Sequence, residues 1–349
     1  MFRRLLLIPF TLSLAQAQPF DSGSTGADGP LVLTTPGVVT FDPRAFNPPL
    51  NLAGDNIFHF TSIYIGKDVV VKLSAKLLSG AVFWLSQGPA QIDGMIDLDG
   101  AEGGPMPAIA GAGGYPGGAP RKPGYKPGDF HSNVFLVPLV GGSGGGGGDT
   151  QGGGAGGGAL LIASSSSITL NGSITANGGS STGGIGGNGG AIRLIARTIG
   201  GSGVLSAKGG QPGGGDGLMR FEAFENQFSG TENNTPLARG KPFGLFLPPG
   251  PQPSVKVISA GSATVAGKEI TLRDRSPVVL VVEARFIPTG TVVQLELFEE
   301  NGKTQVISTT PLQGTLEFSH ATALVALPSG LSHAQVEASW KQGPAREAR

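Results

Sequence analysis

The residues best equipped for chemistry are three carboxylates on one short stretch, Asp93, Asp97 and Asp99, with Glu102 just beyond. All three Asp hold odd positions, so an unbroken strand, whose side chains alternate with period two, aims them at one face. Gathered carboxylates are what a Ca2+ ion needs, and a pair is what acid–base work on a sugar needs. Gly94 interrupts the stretch and can break that parity. The matching positions in the other repeats of the chain, set out below, are Asn171, Thr175 and Asn177, then Ser202, Ser206 and Lys208. No ladder of carboxylates results. A solvated strand edge and turn is the favoured reading, and Asp93, Asp97 and Asp99 stand as the one Ca2+ candidate. No catalytic residue and no cofactor is assigned.

The remaining candidates divide in the same way. His59, His131, His320 and His333 have no ligand spacing to one another, and the chain has no Cys, which removes disulfides, metal thiolates and thiol catalysis together. Arg193 and Arg220 hold the same position in successive repeats. A stacked arginine pair suits an acidic glycan, but Glu222 nearby favours a local ion pair. Phe58, Phe60, Tyr64 and Trp84 suit either a sugar-stacking strip or core packing, with core packing favoured. Matches to G-x-G-x-x-G arise by chance in glycine tracts and carry no weight without a strand–turn–helix context.

A repeated unit must position these residues. It consists of a Gly, a short apolar strand, a polar turn, then x-Gly-x-Ile-x-Ala-x-Gly. It reads GAVFWLSQGPAQIDGMIDLDG from Gly80, GALLIASSSSITLNGSITANGG from Gly158 and GAIRLIARTIGGSGVLSAKGG from Gly190, with a weaker GLMRFEAFENQFSG from Gly217. Each copy starts 12 or 13 positions before its inner Gly: Ala81 to Gly94, Ala159 to Gly172, Ala191 to Gly203 and Leu218 to Gly230. A fixed internal register of this kind indicates a solenoid, in which each repeat buries its face against its neighbours.

Period two sorts the side chains. Val82 and Trp84 align with Leu160 and Ile162, Ile192 and Leu194, and Met219 and Phe221; all are apolar and predicted inward. The alternate face is apolar early (Phe83, Leu85, Leu161, Ala163) and charged late (Arg193, Arg220, Glu222). The early part is expected to lie under the insertion, through Val134–Val140, and the late part to meet water. In the second strand Ile96, Ile174 and Leu205 are inward; Asp97, Thr175 and Ser206 are outward. Gly94, Gly172 and Gly203 mark a tight bend or a positive φ.

Gly makes up 61 of 349 residues, and 40 of those lie in 101–217, without a Gly-X-Y period. The insertion 101–158 reads first as a flexible loop, because dense glycine is costly to order. The alternative is a set of extended glycine strands packed on the solenoid, where the lack of side chains permits close backbone approach. Charge is balanced, with 24 basic and 24 acidic residues, which does not favour nucleic acid. Arg3-Arg4, the apolar Leu5–Leu14 and Ala15-Gln16-Ala17 read as an export signal cleaved after Ala17. No later stretch is long and apolar enough for a membrane helix.

The expected organisation is a signal peptide at 1–17, an N-terminal cap at 18–55, a parallel β-solenoid at 56–230 with its insertion at 101–158, and a stiff Pro-rich linker at 231–253. An antiparallel sandwich follows at 254–341 and a tail at 342–349. Eight short strand signals separated by turns, Asn301-Gly302 among them, give the sandwich its immunoglobulin or fibronectin-III character. The fold class is thus all-β, a short right-handed parallel β-helix followed by that sandwich. The repeats at Gly158 and Gly190, followed by GLMRFEAF and by P-x-G-T-V-V at Pro288–Val293, resemble those of uncharacterised secreted glycine-rich proteins of acidobacteria-like soil bacteria. The resemblance spans 55–341, implies export and surface display, and carries no catalytic residues. The expected function is a non-enzymatic structural or adhesion protein of the cell surface or matrix, with extracellular polysaccharide or envelope proteins as partners. The alternative is a polysaccharide-binding or polysaccharide-cleaving β-helix of the pectate-lyase type.

Overall fold

The structure, a computed structural model, describes residues 20–51, 54–126, 133–233, 237–248, 250, 253–267, 269–273, 277–299, 303–327 and 330–340. The expected signal peptide, His131, the Asn301-Gly302 turn and the tail lie outside them.

The protein is all-β, with two parallel sheets followed by two antiparallel ones. The first parallel sheet takes, in spatial order, β1 (Gly29–Leu33), β3 (Ile57–Ile65), β5 (Val82–Ser86), β8 (Ala159–Leu170), β10 (Ala191–Gly201), β12 (Leu218–Phe228) and β14 (Leu237–Gly240). Beside it, β6 (Ala90–Ile92) continues the line of β5 and pairs with β3 and β8. The second takes β2 (Gly37–Thr40), β4 (Val69–Lys72), β7 (Met95–Asp97), β9 (Ser173–Thr175), β11 (Val204–Ser206) and β13 (Thr231–Glu232).

The pairing register is that of the sequence repeat. Trp84 lies beside Ile162, Ile162 beside Leu194, and Leu194 beside Phe221. In the second sheet Ile96 lies beside Ile174 and Ile174 beside Leu205. The inward residues of both sheets form one dry core, capped at its N-terminal end by Phe41, Phe58, Phe60 and Trp84 in mutual ring contact.

Two expected boundaries move. The expected cap supplies β1 and β2, the first strand of each sheet, and the expected linker supplies β13 and β14 at the other end. Both stretches have enough β-branched or apolar residues to pair with the open edge they meet, and an edge left bare is costly.

The glycine-rich insertion is a backbone-bonded bundle, which overturns the flexible-loop reading in favour of packed glycine strands. Gly152, Ala155 and Gly158 donate to the carbonyls of Gly104, Ala101 and Leu98. Gly142, Gly145 and Gly148 donate to Gly157, Gly154 and Gln151, and Tyr115, Gly118 and Arg121 donate to Gly142, Gly145 and Gly148. These bonds are 2.6 to 3.0 Å, and each series advances three residues at a time. A donor that faces the same neighbour every third residue belongs to a threefold extended helix of the polyproline II type, which has no internal hydrogen bonds and offers every N–H and C=O to its surroundings. The segments that return from β9 and β11 (176–190 and 207–217) join the same network, through Gly179 to Ala155, Gly187 to Gly179 and Gly210 to Gly187.

Glycine is needed there for space. An added Cβ at Gly145 would overlap the carbonyls of Ile185 and Gly186, and at Gly187 it would overlap that of Ala155. The inner glycines of the repeat follow the same rule: Cβ atoms at Gly94, Gly172, Gly203 and Gly230 would strike the carbonyls of Gly66, Gly94, Gly172 and Gly203. None of these four has a positive φ. The positive φ allowed by the sequence reading is therefore absent, and close stacking takes its place.

The antiparallel part has a sheet in the order β16 (Ala263–Gly267), β15 (Ser254–Ala260), β18 (Val278–Arg285), β22 (Ser319–Val325), β21 (Gln313–Gly314). The other sheet runs β17 (Glu269–Arg273), β23 (Leu331–Ala338), β19 (Val292–Glu299), β20 (Thr304–Pro311). Val257, Leu280 and Val282 from the first meet Leu295, Leu297 and Val336 from the second in one core. The β15–β16 hairpin was not foreseen, and one of the eight strand signals in the sequence, Gly314–Phe318, is mostly a turn, closed by Phe318 N–H to Thr315 Oγ1. The outer face of the second sheet rests on the parallel body, where Tyr125 Oη donates to Glu296 Oε2 at 2.5 Å.

Steric exclusion at the glycine bundle makes a sharp prediction. Gly187→Ala should lower stability by about 1–3 kcal/mol, as forced overpacking does. Gly104→Ala, whose Cβ meets nothing within 4 Å, should stay within about 0.5 kcal/mol of the parent. Urea unfolding midpoints of the two variants check this.

Candidate functional site

The three aspartates are held apart by other partners. Asp93 accepts from Asn171 Nδ2 at 2.9 Å and from Gln91 Nε2 at 2.6 Å. Asp97 pairs with Lys72 Nζ at 3.4 Å and accepts the Asp99 N–H. Asp99 takes the Asn177 N–H at 2.6 Å and its side-chain amide at 3.1 Å. Asn177 in turn accepts from Ser206 Oγ and the Lys208 N–H, so the row is a polar ladder that ties successive turns. Burial pushes the Asp99 carboxyl up, against the pull of the Asn177 donors. Among the described residues no group of three His, Cys, Asp or Glu side chains stands where it could hold a metal ion.

The charged end of the outer face is buried, and the expectation that it meets water is wrong. Glu222 and Arg193 are fully enclosed and Arg220 nearly so. Glu222 Oε1 accepts from Arg193 Nε at 2.9 Å and Arg220 Nε at 2.8 Å, which makes the ion pair the correct one of the two readings. The spare guanidinium donors reach two covering segments: Arg193 Nη2 to the Gly244 carbonyl at 3.1 Å and Arg220 Nη1 to the Val134 carbonyl at 3.2 Å. Phe243 lies over both guanidiniums and Phe135 over Arg220, at 5.0–5.4 Å. The cover thus comes from the insertion and from the stretch after β14. Over the apolar end the same two stretches, through Leu139, Leu245 and Leu247, are joined by Phe20 of the N-terminal segment in packing on Phe83, Leu85 and Leu161.

Phe58, Phe60 and Trp84 are core residues, as favoured, while Tyr64 reaches solvent. His59 Nδ1 accepts the Thr25 N–H at 3.1 Å. His320 meets the Phe318 ring edge-on. His333 is buried in the outer face of the second antiparallel sheet, beside Phe298.

The open site is a groove along the seam between the parallel and antiparallel bodies. It has three connected chambers that share Ser79 and Ser254. The central one, about 650 Å³, is lined by Asn56, Phe83, Leu139 and Leu247. One end, about 240 Å³, carries Asp42, Arg44, Asn51, Lys76, Lys256 and Arg285. The other, about 260 Å³, ends on Glu337 and Trp340. The central chamber falls in the size range of ligand sites.

At the charged end the short 3-10 turn Pro43–Ala45 sets Arg44 on its own N-cap. Both oxygens of Asp42 accept from the guanidinium at 2.9 Å. Glu283 Oε1 holds Lys256 and Arg285, each at 3.1 Å. The hydrogen bond from Arg44 holds Asp42 below its usual range; burial pulls Glu283 up, but Lys256 and Arg285 outweigh it and hold its carboxyl low. Sequence reading missed this site because Arg44 and Lys256 stand 212 positions apart, and no motif joins them.

Comparison with protein-family models, with curated proteins and with solved structures finds no match.

Two outcomes follow from the buried charges. Glu222→Gln leaves two enclosed guanidiniums without their anion and should cost about 3–5 kcal/mol, read from chemical denaturation. His333 is held at about 4 instead of 6.5, by burial first and the Lys76 charge second. As pH falls through 6.5 the unfolded chain takes up this proton and the folded chain does not, so stability is whole above 6.5 and is lost between 6.5 and about 4. The loss from this group should be roughly 3 kcal/mol. Unfolding midpoints measured above pH 6.5 and near pH 4 should differ accordingly, and His333→Gln should flatten the difference.

Proposed function

We propose that the protein is an exported, non-enzymatic scaffold of the cell surface or extracellular matrix, built as a short right-handed parallel β-helix followed by an immunoglobulin-like sandwich and acting in adhesion. The observation that carries this reading is the glycine bundle. It joins the returns of successive turns through backbone hydrogen bonds every third residue, giving a cysteine-free block tied together without disulfides. Such a block suits a protein that must hold its shape outside the cell. The alternation of the chain between two facing parallel sheets supports the β-helix, and two antiparallel sheets over one core support the sandwich.

The polysaccharide-binding part of the alternative reading has its own support in the seam groove, which combines hydroxyl, amide, cationic and aromatic side chains. In this reading the partner is extracellular polysaccharide.

Two measurements on the full chain test the proposal. Cell fractionation with N-terminal sequencing should find the protein outside the cytoplasm and starting at residue 18; a cytoplasmic protein that keeps Met1 overturns export. Incubation with plant and bacterial polysaccharides, with and without Ca2+, should leave the polymers uncut. Release of shortened or unsaturated sugars overturns the non-enzymatic reading.

A further inference from the structure

The charged end of the seam groove has more cations than it needs for its own carboxylates. Arg44, Lys76, Lys256 and Arg285 line it or its rim, against Asp42 on the wall and Glu283 behind it, four positive charges to two negative. Both carboxylates are held ionised by their neighbours, so the surplus is fixed. The cations are also reachable: the side chains of Arg44, Lys256 and Arg285 are 52%, 34% and 36% exposed. Each contributes only part of its donor set to its internal partner, and a guanidinium with free N–H groups is a carboxylate receptor.

The adjoining chambers carry Asp55, Asn56, Ser79, Ser254 and Glu337, carboxylate, amide and hydroxyl groups that pair with sugar hydroxyls. One of them is lined by Trp340, which packs partly on the sandwich core and is half-buried, leaving part of an apolar side chain for contact with a pyranose. A surplus of two charges, confined to one end of a groove that elsewhere carries Asp55 and Glu337, is too small for nucleic acid, which carries one charge per ~1.7 Å of duplex. It matches a chain that brings one carboxylate to the cationic end.

We propose that the groove binds a linear acidic polysaccharide of the uronate class. One sugar carboxylate sits against Arg44, Lys256 and Arg285, and the neighbouring sugars run along the seam toward Trp340. This rests on the polysaccharide-binding reading above and names its site and ligand class.

The test uses the full chain, polygalacturonate as probe and its fully methyl-esterified, uncharged counterpart as control, followed by calorimetry. The parent should bind the acidic polymer and bind the ester at least tenfold more weakly. Arg44→Gln with Lys256→Gln should weaken binding of the acid tenfold or more, Trp340→Ala should weaken both polymers, and Lys208→Gln, on an exposed position outside the groove, should change nothing. Thermal melting confirms that each variant is folded. If Arg44→Gln/Lys256→Gln melts early, Arg285→Lys, which keeps the charge and loses the fork, should still weaken binding.

Acid binding that survives these changes places the ligand elsewhere and overturns the site, leaving polysaccharide binding intact. Equal binding of acid and ester overturns the ligand class alone. No binding of either polymer overturns the proposal, while export and the scaffold role are decided separately by fractionation.

Discussion

The constraint on which the structure depends is the distance between neighbouring backbones. In an ordinary sheet side chains set the packing of one layer on the next. Here the segments that return from the second parallel sheet lie directly against one another, with carbonyl oxygens occupying the space where Cβ atoms would be. Only glycine permits that approach. The hydrogen bonds then fall every third residue, because a threefold extended chain turns its donors outward in three directions. Each segment is bonded on several sides, and the ordering cost of glycine is offset by backbone bonds of about 0.5–1.5 kcal/mol each. The apolar part inside the bundle is small, a cluster of Ala75, Ala108, Ala110 and Ala155.

The same constraint explains where the charges went. A bundle whose buried side chains are mostly alanines, such as Ala110, Ala112 and Ala155, has little apolar surface of its own with which to cover the outer face of the first parallel sheet. The cover comes from the apolar piece of the insertion, Val134 to Leu139, from the stretch 241–248 and from Phe20. Where the sheet below is apolar, Leu139, Leu245 and Leu247 fill the contact. Where it is charged, Arg193 and Arg220 grip main-chain carbonyls of both segments, with Glu222 holding the two guanidiniums in register. The cluster has one positive charge in excess, which the Phe135 and Phe243 rings partly meet.

Much of the parallel body was legible in the sequence because its information is local and periodic. Trp84, Ile162, Leu194 and Phe221 recur at one place in each unit, and the register follows from aligning them. The strands of the antiparallel part were legible from turn residues for the same reason. The glycine bundle was only half legible. A glycine tract looks the same whether its donors meet water or a neighbouring chain, and what decides is the presence of partners from segments such as 176–190, with the same spacing. The burial of Arg193 and Arg220 was hidden because its cause, Phe243 and Gly244, lies in a stretch that reads as a linker. The carboxylates Asp93, Asp97 and Asp99 were visible, but Asn171 and Asn177 reach Asp93 and Asp99 from the next repeat and Lys72 reaches Asp97 from the strand before, which converts a site-like cluster into a ladder.

The seam groove was the least legible feature, and the reason bears on what it can do. Its walls come from the N-terminal turn at Asp42–Arg44, the loop at Asn56 and Ser79, and β15 and β18 of the antiparallel part. None of these carries a recognisable motif, and their meeting depends on how the second body docks on the first. A contact outside the groove that joins the two is the Tyr125–Glu296 hydrogen bond. The walls come from two frames, each with its own hydrophobic core. A groove fixed in this way loses little conformational freedom on binding, which leaves more of the contact energy to appear as affinity.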